Sequence, residues 1–313
     1  MKLALILDPL DSLKAAKDTS LAIMREAARR GHRLFVAEQG GLLLRGQRAL
    51  LNAATFEFTR GDHWYRTSSA VETAPAAFDA VLMRKDPPFD AEYVYSTYLL
   101  ELARQQGARV INEPRAIRDW NEKLSVARFP QFAPPFLVTR HGNMIRDFLA
   151  EHGDIVVKPL DGMGGSGVFR LHREDHNLGV ILETITHYER RTVMAQRYLP
   201  EIAAGDKRIL VIDGEPFPYA LARIPRAGET RGNLAAGGTG VAQPLSARDR
   251  EIAVTVGAEL KKQGLFLVGL DVIGDHLTEI NVTSPTGMVE IAKQTGHDPA
   301  AAFMDALEKT SNR

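Results

Sequence analysis

The fold of this 313-residue chain is decided by the stretch Asp154-Ile-Val-Val-Lys158-Pro-Leu-Asp161-Gly-Met-Gly164-Gly165-Ser166-Gly167-Val-Phe-Arg170. The apolar run from Ile155 to Val157 predicts a buried strand that ends on Lys158. Four glycines then occupy six positions. Glycines at this density allow positive φ and let backbone N–H groups approach an anion closely, and the lysine adds a charge nearby. We therefore predict a flexible flap over a polyphosphate, with an ordinary hairpin loop as the alternative.

Two common nucleotide motifs do not fit this glycine pattern. No Gly-Lys-Ser or Gly-Lys-Thr follows the glycines, as a Walker loop requires. The glycine spacing does not give G-x-G-x-x-G, and a strand rather than a helix is predicted after it. The class of site must therefore come from the rest of the chain.

Length and composition predict a cytoplasmic globular protein of two or three substructures, since domains typically span ~100–200 residues. Hydrophobic residues make up 44% of the chain and charged residues 25%. Lysine plus arginine equals aspartate plus glutamate, at 39 each, so the net charge does not indicate nucleic acid or an anionic membrane as a partner. The absence of cysteine excludes disulfides, thiolate metal sites and cysteine nucleophiles. The first residues resemble no signal peptide, and no apolar run is long enough for a membrane span.

The N-terminal part alternates strands and helices, which predicts a parallel sheet. Strands are predicted at Leu3–Leu7, Arg33–Glu38, Ala80–Met83 and Arg109–Asn112, with helices at 18–30 and Glu92–Gln106, and short strands and loops at 39–75. Ligands lie beyond the carboxyl ends of such strands. Arg84, Lys85 and Asp86 would then lie at a binding edge, with a solvated charged turn as the alternative.

Farther along, helices are predicted at Asn143–His152, Asn177–Tyr188, Ser246–Gln263 and Asp298–Lys309. The strand at 193–200 carries Gln196, which could hydrogen-bond an adenine edge or belong to an ordinary edge strand. Asp213-Gly214 between apolar runs predicts a hairpin. After its return strand, residues 226–240 contain five glycines and two arginines. A loop of this length favours a mobile lid that carries positive charge over a site.

A second hairpin is predicted around Gly274-Asp275-His276. A two-residue turn would place Asp271 opposite Thr278. A three-residue loop would place it opposite Glu279 on one face, with Asn281 two residues along. That register also buries Leu270, Val272 and Ile280 together on the other face. Two facing carboxylates repel each other unless a positive charge lies between them, and carboxylate and amide oxygens suit magnesium. We predict a metal site, with a solvated hairpin face as the alternative.

Taken together, these segments resemble the ATP-grasp ligases, and within them the bacterial-type glutathione synthetase family. The resemblance is carried, in order along nearly the whole chain, by Met83-Arg-Lys-Asp-Pro-Pro-Phe-Asp90, Asn121-Glu-Lys-Leu124, Lys158-Pro-Leu-Asp-Gly-Met-Gly-Gly165, Leu221-Ala-Arg-Ile-Pro225, Glu229-Thr-Arg-Gly-Asn-Leu-Ala-Ala-Gly-Gly238 and Thr278-Glu-Ile-Asn-Val-Thr-Ser-Pro-Thr286. The flap's end at Ser166-Gly167 and the residues after Thr286 are less typical of the family.

The resemblance implies an α/β chain with an ATP-grasp fold. An N-terminal parallel α/β domain would cover residues 1–120, a central lobe with the flap 121–199, and a C-terminal lobe with the lid and the metal hairpin 200–313. It implies a homotetramer that ligates γ-glutamylcysteine and glycine to glutathione through an acyl phosphate, releasing ADP and phosphate. The reaction would use ATP and Mg²⁺ or Mn²⁺, with two ions per site, and no nucleic acid or membrane partner.

The resemblance also implies roles for individual residues. Nucleotide phosphates would be held by Lys123, Lys158 and the flap residues Gly164, Gly165, Ser166 and Gly167, and adenine by Gln196, Arg197, Tyr198 and Leu199. Metal would be held by Asp271, Glu279 and Asn281. The phosphoryl group and the acyl phosphate would be surrounded by Arg208, Arg223 and Arg231, with Asp206 orienting part of that set. The dipeptide would lie near Arg84, Lys85 and Asp86, and the acceptor near Ser284 and Thr286.

Two alternatives stay open from the sequence. One is another carboxylate–amine ligase of this fold, of the D-alanine–D-alanine or glutamate-adding type, although Thr283-Ser-Pro-Thr286 fits the glutathione type better. The other is a nucleotide-binding regulator without turnover. Retention of the metal ligands, both lysines and the lid arginines argues against the regulator.

Overall fold

The computed structural model describes residues 1–60, 63–229, 231–234 and 237–311. Its strands are β1 (Lys2–Leu7), β2 (Arg33–Glu38), β3 (Leu42–Arg45), β4 (Arg48–Phe58), β5 (Tyr65–Thr67), β6 (Val71–Thr73), β7 (Ala80–Met83), β8 (Val110–Ile111), β9 (Phe136–Thr139), β10 (Asp154–Pro159), β11 (Phe169–His172), β12 (Val193–Arg197), β13 (Asp206–Ile212), β14 (Glu215–Ile224), β15 (Thr239–Pro244), β16 (Leu267–Ile273) and β17 (His276–Asn281). Its helices are α1 (Thr19–Arg29), α2 (Ala91–Gln105), α3 (Pro114–Asp119), α4 (Gly142–His152), α5 (Leu178–Ile185), α6 (Ala247–Lys262), α7 (Met288–Thr295) and α8 (Pro299–Ser311). Within the described residues, no helix is long and apolar enough to cross a membrane.

The N-terminal sheet has the order β3-β4-β2-β1-β7-β8, with β5 and β6 also paired to β4. The predicted parallel part is confirmed, because β1 pairs in parallel with β2 and β7, and β7 with β8. Helix α1 begins where its sequence predicts, since Asp18 Oδ1 accepts the Leu21 N–H at 2.8 Å and so caps the first turn. Arg84, Lys85 and Asp86 follow the carboxyl end of β7, which is the edge where a parallel sheet binds its ligands.

The segment from residue 39 to 75 contains the predicted short strands, β3, β5 and β6, but departs from the prediction at β4. It contains the 11-residue strand β4, which runs antiparallel to β2. Its inward positions include Ala49, Ala53 and Ala54 besides Leu51 and Phe56. Alanine and asparagine are depleted in strands, so the sequence signal for this strand is weak although its buried face is continuous with the core.

The second half of the chain forms two further sheets. One has the order β11-β10-β12-β9 and the other β15-β14-β13-β16-β17, and every pairing in both is antiparallel. The flap, residues 160–168, joins β10 to β11, and the lid, residues 225–238, joins β14 to β15. Both loops that the sequence singled out thus connect neighbouring antiparallel strands.

Asn112 fastens the N-terminal sheet to the last sheet. It follows β8 and is 4% exposed. Its Nδ2 donates to the carbonyls of Leu267 and Val282 at 2.9 and 2.8 Å, and its Oδ1 accepts the N–H groups of Phe266 and Leu267 at 2.8 and 2.9 Å. One buried amide therefore satisfies four main-chain groups at the base of β16 and the end of β17.

Replacement of Asn112 by alanine is expected to lower the free energy of unfolding by about 2–4 kcal/mol, because it leaves buried main-chain groups without partners. Urea unfolding followed by circular dichroism measures this change. Asn52→Ala, at an exposed position of β4, is the control and is expected to stay near wild type. Equal midpoints for the two variants would contradict the role given to Asn112.

Candidate active site

A cavity of about 320 Å³ lies between the two antiparallel sheets and the segment after β7. Predicted site residues that line it are Lys123, Lys158, Gly164, Gly165, Ser166, Gln196, Arg197, Tyr198, Leu199, Asp206, Arg208, Arg223, Arg231, Asp271, Glu279, Asn281, Asp86, Ser284 and Thr286. Gly167, Arg84 and Lys85 are not among the lining residues. The fold thus brings together side chains that are up to about two hundred positions apart in the sequence.

The carboxylate hairpin has the predicted pairing by a different route. Asp271 lies directly opposite Glu279, but Ile273 pairs with His276, so the turn has two residues, Gly274 and Asp275. A β-bulge at Thr278 restores the opposition that a three-residue loop was expected to give. The predicted loop length was wrong, whereas the predicted face was right.

At the bulge, both the side chain and the main chain of Thr278 form hydrogen bonds within the site. Its hydroxyl donates to the Asp271 carbonyl at 3.1 Å, and its own carbonyl accepts from Lys158 Nζ at 3.3 Å. Leu270, Val272 and Ile280 are fully buried in one core cluster, as the predicted register requires. The hairpin therefore separates a polar cavity face from an apolar core face.

Asp271 is held by two arginines. Arg208 Nε lies 2.5 Å from Oδ1, and Arg223 Nη2 lies 2.8 Å from Oδ2. Burial alone would raise the pKa of the Asp271 carboxyl, but the two guanidinium groups outweigh it and hold that pKa well below its usual range. Arg223 also pairs with Asp206 Oδ2, and burial raises the pKa of Asp206 to about 6 against the attraction of Arg223.

Two lysines lie beside the other carboxylate and the glycine flap. Lys123 Nζ donates to Glu279 Oε1 at 2.8 Å and to the flap carbonyl of Gly162 at 2.7 Å. Burial alone would raise the pKa of Glu279, but Lys123 holds it below its usual value. Lys158 Nζ lies 3.2 Å from Gln196 Oε1. Burial lowers the pKa of the Lys158 ammonium group. Carboxylates and cations thus alternate across the floor of the cavity.

The flap and the lid touch each other above this floor. Arg231 Nη2 pairs with Glu229 at 2.6 Å, and its Nη1 lies 3.4 Å from the Gly165 carbonyl. A Cβ at Gly165 would lie 2.8 Å from Asn233 Oδ1 and 3.1 Å from Arg231 Cδ. The lid positions Thr230, Ala235 and Ala236 lie outside the described residues. The two loops therefore meet at a glycine that leaves no room for a side chain.

The three residues after β7 lie in different surroundings. Arg84 is buried, and its guanidinium donates to Ser20 Oγ at 3.0 Å and to the Pro285 carbonyl at 2.9 Å. Lys85 Nζ pairs with Asp8 at 2.8 Å. Asp86 accepts a hydrogen bond from Ser284 Oγ and lines the cavity. In this structure, only Asp86 of the three reaches the cavity surface.

The cavity lining also includes residues that had not been predicted as site residues, among them Glu122, Met163, Asn233 and Thr283. Each lies within or beside a segment that had been singled out. Glu122 precedes Lys123, and Thr283 precedes Ser284. These segments were predicted to carry the site, but which side of the chain faces the cavity depends on backbone contacts that a local sequence pattern does not display.

Comparison with known proteins matches this architecture to one family over most of the chain. Residues 1–118 match the family model described as prokaryotic glutathione synthetase, N-terminal domain, and residues 122–296 match that described as prokaryotic glutathione synthetase, ATP-grasp domain. This chain belongs to the prokaryotic glutathione synthetase family.

Named relatives and solved structures match this chain over nearly its full length. The chain is 62% identical to glutathione synthetase of Nitrosomonas europaea, covering 100% of this chain and 99% of the relative. It is 57% identical to that of Neisseria meningitidis serogroup A, covering all of both chains, and 52% identical to that of Shewanella oneidensis, covering 98% of each. The backbone is similar to the crystal structure of D-cycloserine synthetase DcsG, with a TM-score of 0.69 at 18% identity over 99% of this chain and 100% of the other. It is also similar to D-alanyl-alanine synthetase A of Vibrio cholerae, with a TM-score of 0.58 at 12% identity over 100% and 99%. These structures confirm the predicted ATP-grasp fold.

Gly165→Ala is expected to reduce kcat/KM by ~10-fold or more, because a displaced lid misaligns the groups above the cavity floor. Gly31→Ala is a matched control, since both glycines have φ of +81° and a Cβ at Gly31 would meet no described atom within 4 Å. Both variants should lose about 1–2 kcal/mol of stability from the left-handed conformation. Steady-state kinetics with thermal unfolding separates the two effects, and equal activity losses would contradict the proposed contact between flap and lid.

Proposed function

We propose that this chain synthesises glutathione from γ-glutamylcysteine and glycine, using ATP and releasing ADP and phosphate through an acyl phosphate. The observation that carries the proposal is the cavity in which two opposed carboxylates alternate with lysines and arginines, in a chain of the prokaryotic glutathione synthetase family. A carboxylate is a poor electrophile, and both it and ATP are anionic. Positive groups on the cavity floor would neutralise that charge and hold the reacting groups in line.

The family is one of ATP-grasp ligases, which use ATP and a divalent metal. Asp271 and Glu279 fit such an ion, because their carboxylates face each other on neighbouring strands and lie beside the cavity. Asn281 Nδ2 donates to the Gly269 carbonyl at 3.2 Å, which directs its amide oxygen away from that carbonyl. Two carboxylates, an amide oxygen and substrate phosphates form a set of ligands that Mg²⁺ accepts. We propose Mg²⁺ or Mn²⁺, with two ions per site, held by these three residues.

Among the described residues, no three histidine, aspartate or glutamate side chains are grouped to hold a metal. The partners of Asp271 and Glu279 are all cations: Arg208, Arg223 and Lys123. Positive charge next to these carboxylates is thus already required in the protein alone, since burial would otherwise protonate them. A bound metal would supply charge at the same carboxylates and polarise phosphate oxygens.

The protein's own groups divide the cavity by task in this proposal. Lys123 and Lys158 would hold the nucleotide phosphates beneath the flap, and the segment from Gln196 to Leu199 would contact adenine. Gln196 supports that assignment because its Nε2 is buried and has no hydrogen-bond partner among the residues that the structure describes. Arg208, Arg223 and Arg231 would surround the transferred phosphoryl group, and Asp206 would orient Arg223. Closure of the lid would exclude water, which would otherwise hydrolyse an acyl phosphate.

The substrate end would lie near Asp86, with Ser284 and Thr286 toward the acceptor. Arg84 and Lys85 enter the proposal as supports: Arg84 fixes the Pro285 carbonyl and Lys85 fixes Asp8, which accepts the Asp86 N–H at 2.9 Å. We also retain the division into domains at 1–120, 121–199 and 200–313, which is supported by β1–β8, β9–β12 and β13–β17 each falling within one range. A cytoplasmic location and a homotetramer are further predictions, the second tested by sedimentation.

A substrate panel tests the function. The purified chain with ATP and Mg²⁺ is expected to form ADP one for one with glutathione from γ-glutamylcysteine and glycine. D-Alanine pairs and glutamate acceptors should give no product. Turnover with those acceptors instead would support another ligase of this fold, and nucleotide binding without any turnover would support a regulator.

Glu279→Gln is expected to reduce metal-dependent activity at least about tenfold. Removing a residue that only supports a metal ligand already lowers metal affinity or activity by that much, and Glu279 is proposed as a direct ligand. Activity is measured across a range of Mg²⁺ concentrations, with circular dichroism to follow the fold. Glu57→Gln removes an exposed carboxylate on β4 and should leave the curve in place. An unchanged Mg²⁺ dependence in Glu279→Gln would remove this residue from the metal site.

A further inference from the structure

Glu122 lines the cavity, but it belongs neither to the phosphate-binding cations nor to the metal carboxylates. Its side-chain Oε1 accepts the N–H of Val282 at 2.9 Å, the N–H of Thr283 at 3.2 Å and the hydroxyl of Thr283 at 2.8 Å. Its main-chain carbonyl accepts the N–H of Ile280 at 2.8 Å. One residue thus receives four hydrogen bonds from a short segment of chain.

That segment covers the end of β17 and the two residues that follow it, Val282 and Thr283. Strand β17 stands at the end of the order β15-β14-β13-β16-β17, so no strand among the described residues pairs with the N–H groups on its outer side. Ile280 and Val282 donate from that side, and Asn281 lies between them. Glu122 therefore provides the acceptors that a neighbouring strand would otherwise supply. Its main-chain carbonyl accepts from Ile280, and its side chain accepts from Val282.

Residues within and next to the clamped segment belong to the proposed site. Asn281 is the proposed amide ligand of the metal, and Ser284, two residues beyond Val282, donates to Asp86 at the substrate end. Lys123, the residue next to Glu122, joins Glu279 to the flap. The position of the Glu122 backbone is thus tied to the metal hairpin, the flap and the substrate end together.

We propose that Glu122 is a positioning residue, which fixes the backbone from Ile280 to Thr283 so that Asn281 faces the metal and Ser284 faces the substrates. The roles of Asn281 and Ser284 in this inference rest on the proposed function. The clamp itself depends on an acceptor oxygen at the right place, so a glutamine at this position should preserve it. A direct contact between the Glu122 charge and a substrate ammonium or metal would instead require the carboxylate.

Amide hydrogen exchange of the ligand-free chain tests the clamp without any turnover. In Glu122→Ala, peptides covering residues 280–284 are expected to exchange about tenfold faster or more, because three hydrogen bonds to the side chain are lost. Glu122→Gln should stay near wild type. Thr283→Val removes one donor and keeps the side-chain shape, so it should shift exchange in the same direction by less, and it serves if Glu122→Ala does not fold. Glu57→Ala is the surface control.

Binding and kinetics of the same variants test the consequence for the site. Glu122→Ala is expected to need about tenfold more Mg²⁺ for half-maximal nucleotide binding, and its KM values for Mg-ATP and glycine should rise more than kcat falls. Glu122→Gln should restore both. Wild-type exchange and binding in Glu122→Ala would overturn the proposal, as would a Glu122→Gln variant as impaired as Glu122→Ala. Because exchange is measured without substrates, its result is independent of whether glutathione is the product.

Discussion

The site depends on the mutual compensation of charges that are buried together. Asp271 lies between Arg208 and Arg223, Asp206 shares Arg223, and Glu279 holds Lys123. Removing one partner of such a set leaves another charge buried without compensation, which costs several times more than the net stabilisation of the pair. The carboxylates therefore cannot ionise at these positions without cations, and the cations cannot remain buried without them. A cavity built in this way already holds the opposite charges that a metal and a polyphosphate require.

The geometry of that set follows from one irregularity in the last sheet. Without the bulge at Thr278, the two-residue turn would place Glu279 on the core face, and the buried apolar side chains of the hairpin would change faces with it. The bulge keeps Ile280 in the core and also presents the Thr278 carbonyl to Lys158. The carboxylate pair, Lys158 and the core are thus aligned by one extra residue.

The sequence predicted much of this fold because its local signals agreed with one another. Alternating strands and helices gave the parallel part of the first sheet, Asp213-Gly214 gave a hairpin, and the carboxylate spacing gave the facing pair. It missed β4, whose alanines carry little strand signal, and α7, which begins after Gly287 at φ of +114°. It also extended α5 too far, because three consecutive residues from His187 to Glu189 adopt positive φ and end the helix.

Side-chain direction was harder to predict than position. Arg84 follows a strand at the expected edge, yet its guanidinium turns to Ser20 and to Pro285, which lie 64 and 201 positions away in the sequence. Glu122 escaped notice for the same reason, since its partners are about 160 positions away. Contacts of this kind depend on how separate sheets are placed side by side, and no local pattern records them.

Two routes can activate a carboxylate with ATP, and the positions of the cations distinguish them. Attack at the α-phosphorus releases pyrophosphate, whereas attack at the γ-phosphorus releases ADP. In the proposed site, Lys123, Lys158, a metal held by Asp271 and Glu279, and the arginines would concentrate positive charge around the terminal phosphates, which would favour γ-phosphoryl transfer. Labelling the cysteinyl carboxylate of γ-glutamylcysteine with heavy oxygen is the most direct test. The account predicts that the label appears in inorganic phosphate once the glycine amine displaces phosphate from the acyl phosphate. Label in AMP would contradict the acyl phosphate route.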